Sequence, residues 1–243
     1  LIEVSGLPMA IQAMMDLPIT DNTRIILRED MPYIKRLKDA IKSVYISAEF
    51  SILNHMTDGQ ATTCVEGSTG LVSNDPVTIA ACDNGMLYDS DKFLTLMNSN
   101  DIDVIVWAAR GYPGAIRNPE MYGWIQSNKE GVIEYISVKE PLSNPLNDSI
   151  VVGTFTFKKL DYFLKSVERM KDREALVNGE YYVDTAINDA LALGLRCVVF
   201  EIDSYICWGT PNDLHTFEYW QSCFDGWDSH PYKKELDINY GLN

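Results

Sequence analysis

The chain has 243 residues, of which 46% are hydrophobic and 23% charged, a balance typical of a globular domain with a substantial apolar core. Its net charge of −15 argues against a broad surface for nucleic acid or an anionic membrane, because phosphate groups are neutralised by Lys and Arg. The same charge still permits a local pocket for a small phosphorylated ligand. No segment approaches the roughly 20 apolar residues of a membrane span, and no signal peptide is visible.

The cysteines and histidines give no sign of a disulfide framework or a zinc site. The five cysteines are odd in number and scattered, without a CxxC pair. Cys82 and Cys197 lie within apolar runs, so we expect reduced core thiols and a cytoplasmic protein. The three histidines show no metal-ligand spacing.

Strand-length and helix-length apolar runs alternate through the first half of the chain. This alternation predicts a parallel, doubly wound α/β sheet. The helix at 31–43 has its apolar positions at helical spacing and carries a basic face. The predicted strands are 23–27, 44–53, 77–81 and 103–108, and the predicted helices are 9–17, 31–43, 60–65 and 90–97, the last capped by Ser90.

The pattern changes after a Gly- and Pro-rich loop at 110–120. Apolar and polar residues alternate on both sides of residues 128–131, which predicts a hairpin and hence antiparallel strands. Residues 225–243 lack periodicity and are expected to be a tail or linker after a domain that spans 1–224. The remaining predicted strands are 122–127, 131–138, 149–157, 195–202 and 204–207, and the helices are 160–170, 183–193 and 211–224, the last capped by Thr210.

Asp83 stands out because of its position after the strand predicted at 77–81. That run is apolar and too short for a helix, so it is predicted to be a buried strand. Open α/β sheets bind ligands at the carboxyl ends of their strands, and an acid there can hold a divalent cation against phosphate oxygens. The alternative is that Asp83 merely caps the following turn.

Four segments, in this order and spacing, resemble motifs of the nucleotidyltransferase superfamily that couples an NTP to a sugar 1-phosphate or a similar phosphorylated molecule. The resemblance extends from residue 1 to about 224 and is nearest to capsule-type members. It implies a Rossmann-like doubly wound mixed sheet with a small antiparallel region on the acceptor side. The segments are 1–9 (LIEVSGLPM), 82–84 (CDN), 177–182 (VNGEYY) and 207–214 (CWGTPNDL).

The resemblance implies a reaction in which the phosphate of the acceptor attacks the α-phosphorus of the NTP and releases pyrophosphate. Mg²⁺ neutralises the charge, and Asp83 is its expected protein ligand and the catalytic residue. Sugar-specific members often place a second acid where this chain has Cys207. Asp203 is the expected substitute, unless the second ligand is a water molecule.

The resemblance also assigns residues to the two substrates. Asp58, Gly59 and Gln60 resemble the turn that reads the nucleotide base, although the same residues would serve an ordinary helix start. Asn178 and Glu180 are expected to bind hydroxyls or an amine of the acceptor; the alternative is that they cap a helix.

Two further candidates, Lys139 and Gly153, lie on predicted strands. Lys139 occupies an inverted form of the family's Glu-Lys-Pro sequence, where it would contact a phosphate or remain a solvated surface lysine. Gly153 would let the acceptor approach the backbone, or else it marks a bulge.

The family's glycine-rich phosphate loop precedes the segment that residues 1–9 resemble, and the segment 67–70 cannot replace it because it lacks a basic residue. We expect that loop upstream of Leu1. Without it, the alternative is a non-catalytic nucleotide-sugar-binding or regulatory domain of the same fold. A glycosyltransferase with the metal motif Asp101-Ile102-Asp103 is a third possibility, but this motif precedes a strand instead of ending one.

The sequence leaves the chemical identity of the substrates open. The resemblance implies an acceptor that is a hexose 1-phosphate, a heptose phosphate, or a non-sugar such as phosphocholine, and a role in making surface-polysaccharide or capsule precursors. The base of the NTP and the oligomeric state are also open.

Overall fold

A computed structural model describes residues 1–237 of the chain, which form twelve β-strands and eight α-helices. The strands are β1 (Glu3–Val4), β2 (Leu7–Pro8), β3 (Arg24–Arg28), β4 (Glu49–Leu53), β5 (Val77–Ile79), β6 (Asn84–Leu87), β7 (Val104–Arg110), β8 (Gly123–Ser127), β9 (Ile133–Val138), β10 (Ser149–Phe157), β11 (Cys197–Glu201) and β12 (Ser204–Cys207). The helices are α1 (Met9–Met15), α2 (Ile34–Val44), α3 (Gln60–Gly67), α4 (Ser90–Asn98), α5 (Pro113–Arg117), α6 (Leu160–Asp172), α7 (Val183–Ala192) and α8 (Pro211–Asp225).

The central sheet has the order β11-β7-β10-β8-β9, and β5 pairs with the end of β10. β7 and β11 run parallel, whereas β10 is antiparallel to β5, β7 and β8. The register of β10 against β7 shifts between Val151 and Phe155, so β10 carries a bulge around Gly153. Smaller pairs are the parallel β3–β4 and the antiparallel β1–β2 and β6–β12.

Helices cover both faces of the central sheet, so the predicted mixed, doubly wound α/β class is confirmed. On one face α3, α6 and α7 enclose an apolar cluster that includes Phe155, Phe163 and Ile187. On the other face, α4 packs Phe93 against Trp107 and Phe200, with ring centroids 4.9 and 5.7 Å apart. Trp107 is fully buried and its indole N–H donates to the Thr156 hydroxyl at 3.0 Å. None of the helices within residues 1–237 has the length and apolarity needed to cross a membrane.

Several local predictions are wrong. Strand β5 is not buried: Val77 and Ile79 are half-buried and Thr78 is exposed, because β10 is the one strand that β5 pairs with in the described part of the chain. The sheet of the first half is not wholly parallel, because antiparallel β10 lies between β5 and β7. Cys82 is exposed, in contrast to buried Cys197.

The ends of two helices also differ from the prediction. Asp89, not Ser90, caps α4, because its carboxylate accepts from the backbone N–H groups of Asp91 and Lys92. The predicted loop at 110–120 contains the short helix α5 (Pro113–Arg117), which begins on a proline at the position where helices tolerate it.

Helix α8 links the two ends of the described chain. Thr210 caps it as predicted, accepting from Asp213 N at 3.2 Å. The amide of buried Gln221 donates to Ser5 Oγ at 2.8 Å and to the Tyr232 hydroxyl at 2.9 Å. Tyr232 in turn donates to Asp237 at 2.9 Å, so residues 232–237 pack against α8. The last six residues of the predicted tail, 238–243, lie outside the described range.

Among residues 1–237, the charged residue with the lowest exposure is Asp189, which joins the end of α6 to α7. Asp189 is 1% exposed and accepts two hydrogen bonds from the Arg173 guanidinium, at 2.8 and 2.7 Å.

We expect Asp189→Asn to lower the free energy of unfolding by about 1.5–3 kcal/mol, because this is what a hydrogen bond to a charged group contributes to stability. Urea denaturation measures the change. Exposed Asp172→Asn on α6 is the control and should stay within roughly 0.5 kcal/mol; equal effects of the two substitutions would contradict the account.

Candidate active site

Asp83 lies in the turn between β5 and β6, where the bulge of β10 meets the β12–α8 connection. Ala81 N donates to Gly153 O at 3.1 Å, which ties the end of β5 to the bulge. The Asn84 amide donates to Val152 O at 3.1 Å, on the same bulge. Trp208 N donates to Asp83 O at 2.8 Å, which holds the β12–α8 turn against Asp83. Backbone hydrogen bonds from two other elements therefore fix the position of Asp83.

The Asp83 carboxylate leaves little room for a side chain at residue 209. A Cβ added at residue 209 would lie 2.7 Å from Asp83 Oδ2 and 3.6 Å from Cys207 Sγ. The carboxylate therefore sits directly against the backbone of the 207–210 turn. Gly153, at φ +77°, comes close to Ala81 in the same way, with its virtual Cβ 3.1 Å from Ala81 Cβ. The structure thus brings two of the predicted site residues, Asp83 and Gly153, to one place.

The Asp83 carboxylate is held in an environment that favours a bound cation. Burial raises its pKa, and hydrogen bonds from its own backbone and from Asn84 oppose this effect in part. No Lys, Arg or His among residues 1–237 forms an ion pair with it. The Asn84 Oδ1 atom beside it is buried and lacks a hydrogen-bond partner in the described structure. A hard cation would satisfy both groups.

The Asp83 carboxylate and the Asn84 amide oxygen suit Mg²⁺, which keeps several non-protein ligands, better than a metal ion whose ligands all come from the protein. Within the described residues, no group of three or more His, Cys, Asp or Glu side chains is arranged to hold a metal. Mg²⁺ is commonly held by one or two carboxylates, with waters and substrate phosphates as its other ligands. Asp83 and the orphaned Asn84 oxygen match that pattern.

Asp203 does not reach Asp83, so the predicted pair of metal ligands is not brought together. In the antiparallel β6–β12 pair, Cys207 lies opposite Asn84 and Ser204 opposite Leu87. Asp203 N donates to Leu87 O, so Asp203 stands at the far end of β12. Four residue-to-residue steps of extended chain lead from Asp203 to Cys207, a distance of about 13 Å at the usual rise per residue of a strand. The two carboxylates cannot share one ion.

Three tyrosines surround Cys207, the residue at the position of the expected second acid. The Tyr112 ring packs edge-on against Tyr205, with centroids 4.9 Å apart, and against Tyr122 at 6.1 Å. Burial raises the pKa of Cys207 and raises the pKa of Tyr112 to about 12. This wall of neutral hydroxyl and thiol groups gives one side of the site hydrogen-bonding groups without formal charge.

The predicted base-reading turn is joined to the predicted acceptor segment by main-chain hydrogen bonds. Tyr181 N donates to Asp58 O and Ala61 N donates to Tyr181 O, both at 2.9 Å. Gly59, at φ +134°, lies so close that an added Cβ would be 2.5 Å from Tyr181 N. Gln60 begins α3 immediately after it. The two segments form one unit, although they are about 120 residues apart in sequence.

Asp58 points to a neighbouring helix. Its carboxylate lies 3.6 Å from Lys171 Nζ on α6, and the nearby Thr62 hydroxyl together with this ammonium lowers its pKa. These contacts fix the conformation of the 58–60 turn and leave the carboxylate half-exposed.

Asn178 and Glu180 belong to a tight turn and do not cap α7. Val177 and Glu180 exchange two backbone hydrogen bonds of 3.0 Å, with Asn178 at φ +50° between them. The N-cap residue of α7 is Tyr182, and no side chain caps that helix. The capping alternative is therefore wrong, and both side chains are exposed beside the joined segments.

Lys139 and Asp184 form a second charged part of the site. Lys139, at φ +62°, donates to Met121 O and its ammonium lies 5.4 Å from the centre of the Tyr182 ring. Lys139 is therefore held in place and is not a freely solvated surface lysine. Asp184, on the first turn of α7, packs on Gly123, and burial raises its pKa to about 6 although Lys139 opposes the shift.

Sequence reasoning missed Asp184. The signal was available, since this acid stands two residues after the 177–182 segment in the sequence. An acid at the second position of a helix is favourable in any helix, however, and so gave no reason to single it out.

A cavity of about 390 Å³ opens at the carboxyl ends of parallel strands β3 and β4, where α/β sheets commonly bind ligands. Its lining is mainly apolar, with polar groups at one side near the 58–60 turn. That composition suits a planar ring with a few polar edges. The lining residues are Ile26, Leu27, Arg28, Met31, Leu53, His55, Met56, Thr57 and Thr63.

Comparison with known proteins identifies the fold. No protein-family model and no curated protein sequence matches the chain. Among solved structures, it is similar to a nucleoside-diphosphate-sugar pyrophosphorylase from Vibrio cholerae RC9, with a TM-score of 0.70, 15% identity and 89% of each chain covered. It is also similar to the inositol-1-phosphate CTP transferase from T. maritima, with a TM-score of 0.67 and 13% identity over 93% of this chain and 86% of that one.

A third similar structure is an apo UDP-glucose pyrophosphorylase, with a TM-score of 0.62, 14% identity and 90% of each chain covered. The chain therefore has the fold of sugar-phosphate nucleotidyltransferases, as the sequence resemblance implied. At these identities the likeness shows the fold, and the activity is taken up below as a proposal.

The contact between Gly59 and Tyr181 gives a direct test of the joined segments. We expect Gly59→Ala to lower the free energy of unfolding by roughly 1–3 kcal/mol more than Gly70→Ala, because its Cβ would collide with the Tyr181 backbone. Gly70 is the matched control: it also has a positive φ, and an added Cβ would meet nothing within 4 Å. Urea denaturation of both variants measures the difference, and equal losses would show that the contact is not tight.

The raised pKa of Asp184 implies that replacing this acid with asparagine stabilises the fold at neutral pH and not at acidic pH. Its folded pKa of about 6 exceeds the ordinary 3.8, so its charge costs the folded state progressively more as pH rises through about 4 to 6. We expect Asp184→Asn to raise the free energy of unfolding by about 1–3 kcal/mol at pH 7 and to have no effect near pH 4. Denaturation at both pH values measures this, with exposed Asp203→Asn as control. A loss of stability at pH 7 would contradict the proposed environment.

Proposed function

We propose that the protein transfers a nucleotidyl group from an NTP to a phosphorylated small molecule, with Mg²⁺ as cofactor and pyrophosphate as the other product. The observation that supports this most is the Asp83 carboxylate, desolvated, without a basic partner and fixed against Gly209 between two backbone segments. A half-buried carboxylate with a raised pKa and without a basic side-chain partner among residues 1–237 is the kind of group that binds a metal ion in an active site.

The remaining residues divide into two sides around Asp83. On the nucleotide side, the cavity at β3 and β4 receives the base, and Gly59 and Gln60 present backbone groups and an amide to its edge. On the acceptor side, Lys139 binds the phosphate and Glu180 binds a hydroxyl or an amine. The two main-chain hydrogen bonds that Tyr181 makes, to Asp58 O and from Ala61 N, hold the two sides at a fixed distance. In-line transfer between bound phosphates depends chiefly on such positioning.

Mg²⁺, held by Asp83 with the Asn84 oxygen nearby, would neutralise the charge on the phosphate oxygens. Other parts of the chain position the substrates. Gly153 holds the bulge of β10 against Ala81 beside Asp83, and the Tyr112–Tyr205 wall shields this side from water. Lys139 acts as a point charge whose position is set by its bond to Met121 O.

We further propose a cytoplasmic role in making precursors of capsule or surface polysaccharide. The resemblance of residues 177–182 to capsule-type members supports this role. The neutral Cys207 in place of a second acid leaves both sugar phosphates and non-sugar phosphates as acceptors.

The activity is tested by measuring pyrophosphate release from the full-length protein with Mg²⁺, each of the four NTPs and a panel of phosphorylated sugars and phosphocholine. We expect release with one pair of substrates and loss of release when EDTA is added. Nucleotide binding without any release would support the alternative of a non-catalytic binding or regulatory domain.

Asp83→Asn tests the assigned residue. We expect kcat to fall on the order of 100-fold or more, since removing one group that stabilises charge in the transition state typically lowers kcat by this factor. Asp203→Asn is the matched control and should retain activity within about threefold, because Asp203 lies at the opposite end of β12. Thermal melts confirm that both variants fold. Wild-type turnover in Asp83→Asn would remove Asp83 from the mechanism.

A further inference from the structure

Helix α8 leaves most of its surface uncovered. Of its fifteen residues, Gln221 is the buried one, while Leu214, Phe217 and Phe224 are half-buried along the inner side. Tyr219 and Trp220 are 63% and 52% exposed, and Trp227 just beyond the helix is 58% exposed. Single exposed apolar residues are ordinary, but a contiguous group of large rings marks an interaction surface.

These rings form one continuous surface, which we call the aromatic face: Tyr219, Trp220, Phe224, Trp227 and His230. Phe224 stacks on His230 with centroids 4.4 Å apart and planes 10° apart. Trp220 stacks on Phe224 at 5.8 Å, and Trp227 lies 5.5 Å from His230. The rings support one another, so the face is presented as a preformed surface.

The charge around the aromatic face selects a basic partner. Residues 211–237 contain six acidic and two basic residues, and α8 itself contains no Lys or Arg. Glu218 and Asp228 are exposed next to the rings. Aromatic faces flanked by carboxylates attract ammonium and guanidinium groups, through cation–π contacts and ion pairs together.

The complementary surface occurs on the same chain. Helix α2 carries four basic residues and one acidic residue in eleven positions, although the whole chain has 20 basic against 35 acidic residues. Lys35, Arg36 and Lys42 are exposed, and exposed Tyr33 and Ile46 flank the helix at its two ends. We call this surface of α2 the basic face.

We propose that the aromatic face of one molecule binds the basic face of α2 on a second copy of this chain. Within one molecule the two helices belong to different apolar clusters, α2 with β3 and α8 with Trp208. Lys38 lies over Phe50 of its own molecule and Lys42 donates to Ile46 O. The contact joins two different surfaces, so it is head-to-tail and builds a closed ring or a longer chain of subunits.

The contact is tested by light scattering after size exclusion, at about 100 µM protein, where a contact of micromolar affinity is populated. We expect the wild-type protein to associate, and to dissociate at about 0.5 M salt because exposed charges are then screened. Trp220→Ser should weaken association at least tenfold, while Lys129→Glu, on the β8–β9 hairpin and so in neither face, should leave it unchanged. Circular dichroism confirms that each variant folds.

Paired charge reversals identify the two surfaces. Lys35→Glu with Lys42→Glu, and separately Glu218→Lys with Asp228→Lys, should each give a monomer. Mixed in equal amounts, the two variants should associate again, because each supplies the face that the other has lost. A wild-type monomer at this concentration, association that survives either pair of reversals, or a mixture that stays monomeric would each overturn the proposal. Association that resists both reversals would indicate a different interface between copies.

Discussion

The structure depends on the pairing of β10, which contacts β5, β7 and β8 and carries the bulge at Gly153. The bulge turns the β10 backbone toward Ala81 and Asn84 and thereby fixes the turn that contains Asp83. A regular strand would continue the hydrogen-bond ladder through this region instead. The position of the one carboxylate that supports the proposed chemistry is thus a consequence of a local irregularity in the central sheet.

The site combines two kinds of constraint. Main-chain hydrogen bonds between the 58–60 turn and Tyr181 set the distance between the nucleotide and acceptor sides, independently of side-chain flexibility. Unfavourable electrostatics at Asp83 and Asp184 then prepare the site for charged ligands, since burial raises the pKa of both carboxyl groups. A reaction that depends on substrate positioning and charge neutralisation needs a fixed backbone and carboxylates that gain stability when a cation binds.

Most of the fold could be predicted from the sequence because hydrophobic period and capping residues act locally. The hairpin around residues 128–131, the strand Ser149–Phe157 and the Thr210 cap of α8 are examples. The burial of β5 could not be predicted, because it depends on which strands lie beside it. The distance between Asp203 and Asp83 depends on the β6–β12 register, and the role of Gly59 depends on a segment about 120 residues away. Such long-range contacts leave no local signal.

The central claim is that Asp83 holds the metal at which the two substrates meet. A crystal structure of the full-length protein with Mn²⁺ and a non-hydrolysable NTP tests it most directly, because anomalous scattering locates the ion. The account predicts an anomalous peak bonded to an Asp83 carboxylate oxygen and to a phosphate oxygen, with the base in the cavity at β3 and β4. Nucleotide bound with its metal away from Asp83 would contradict it.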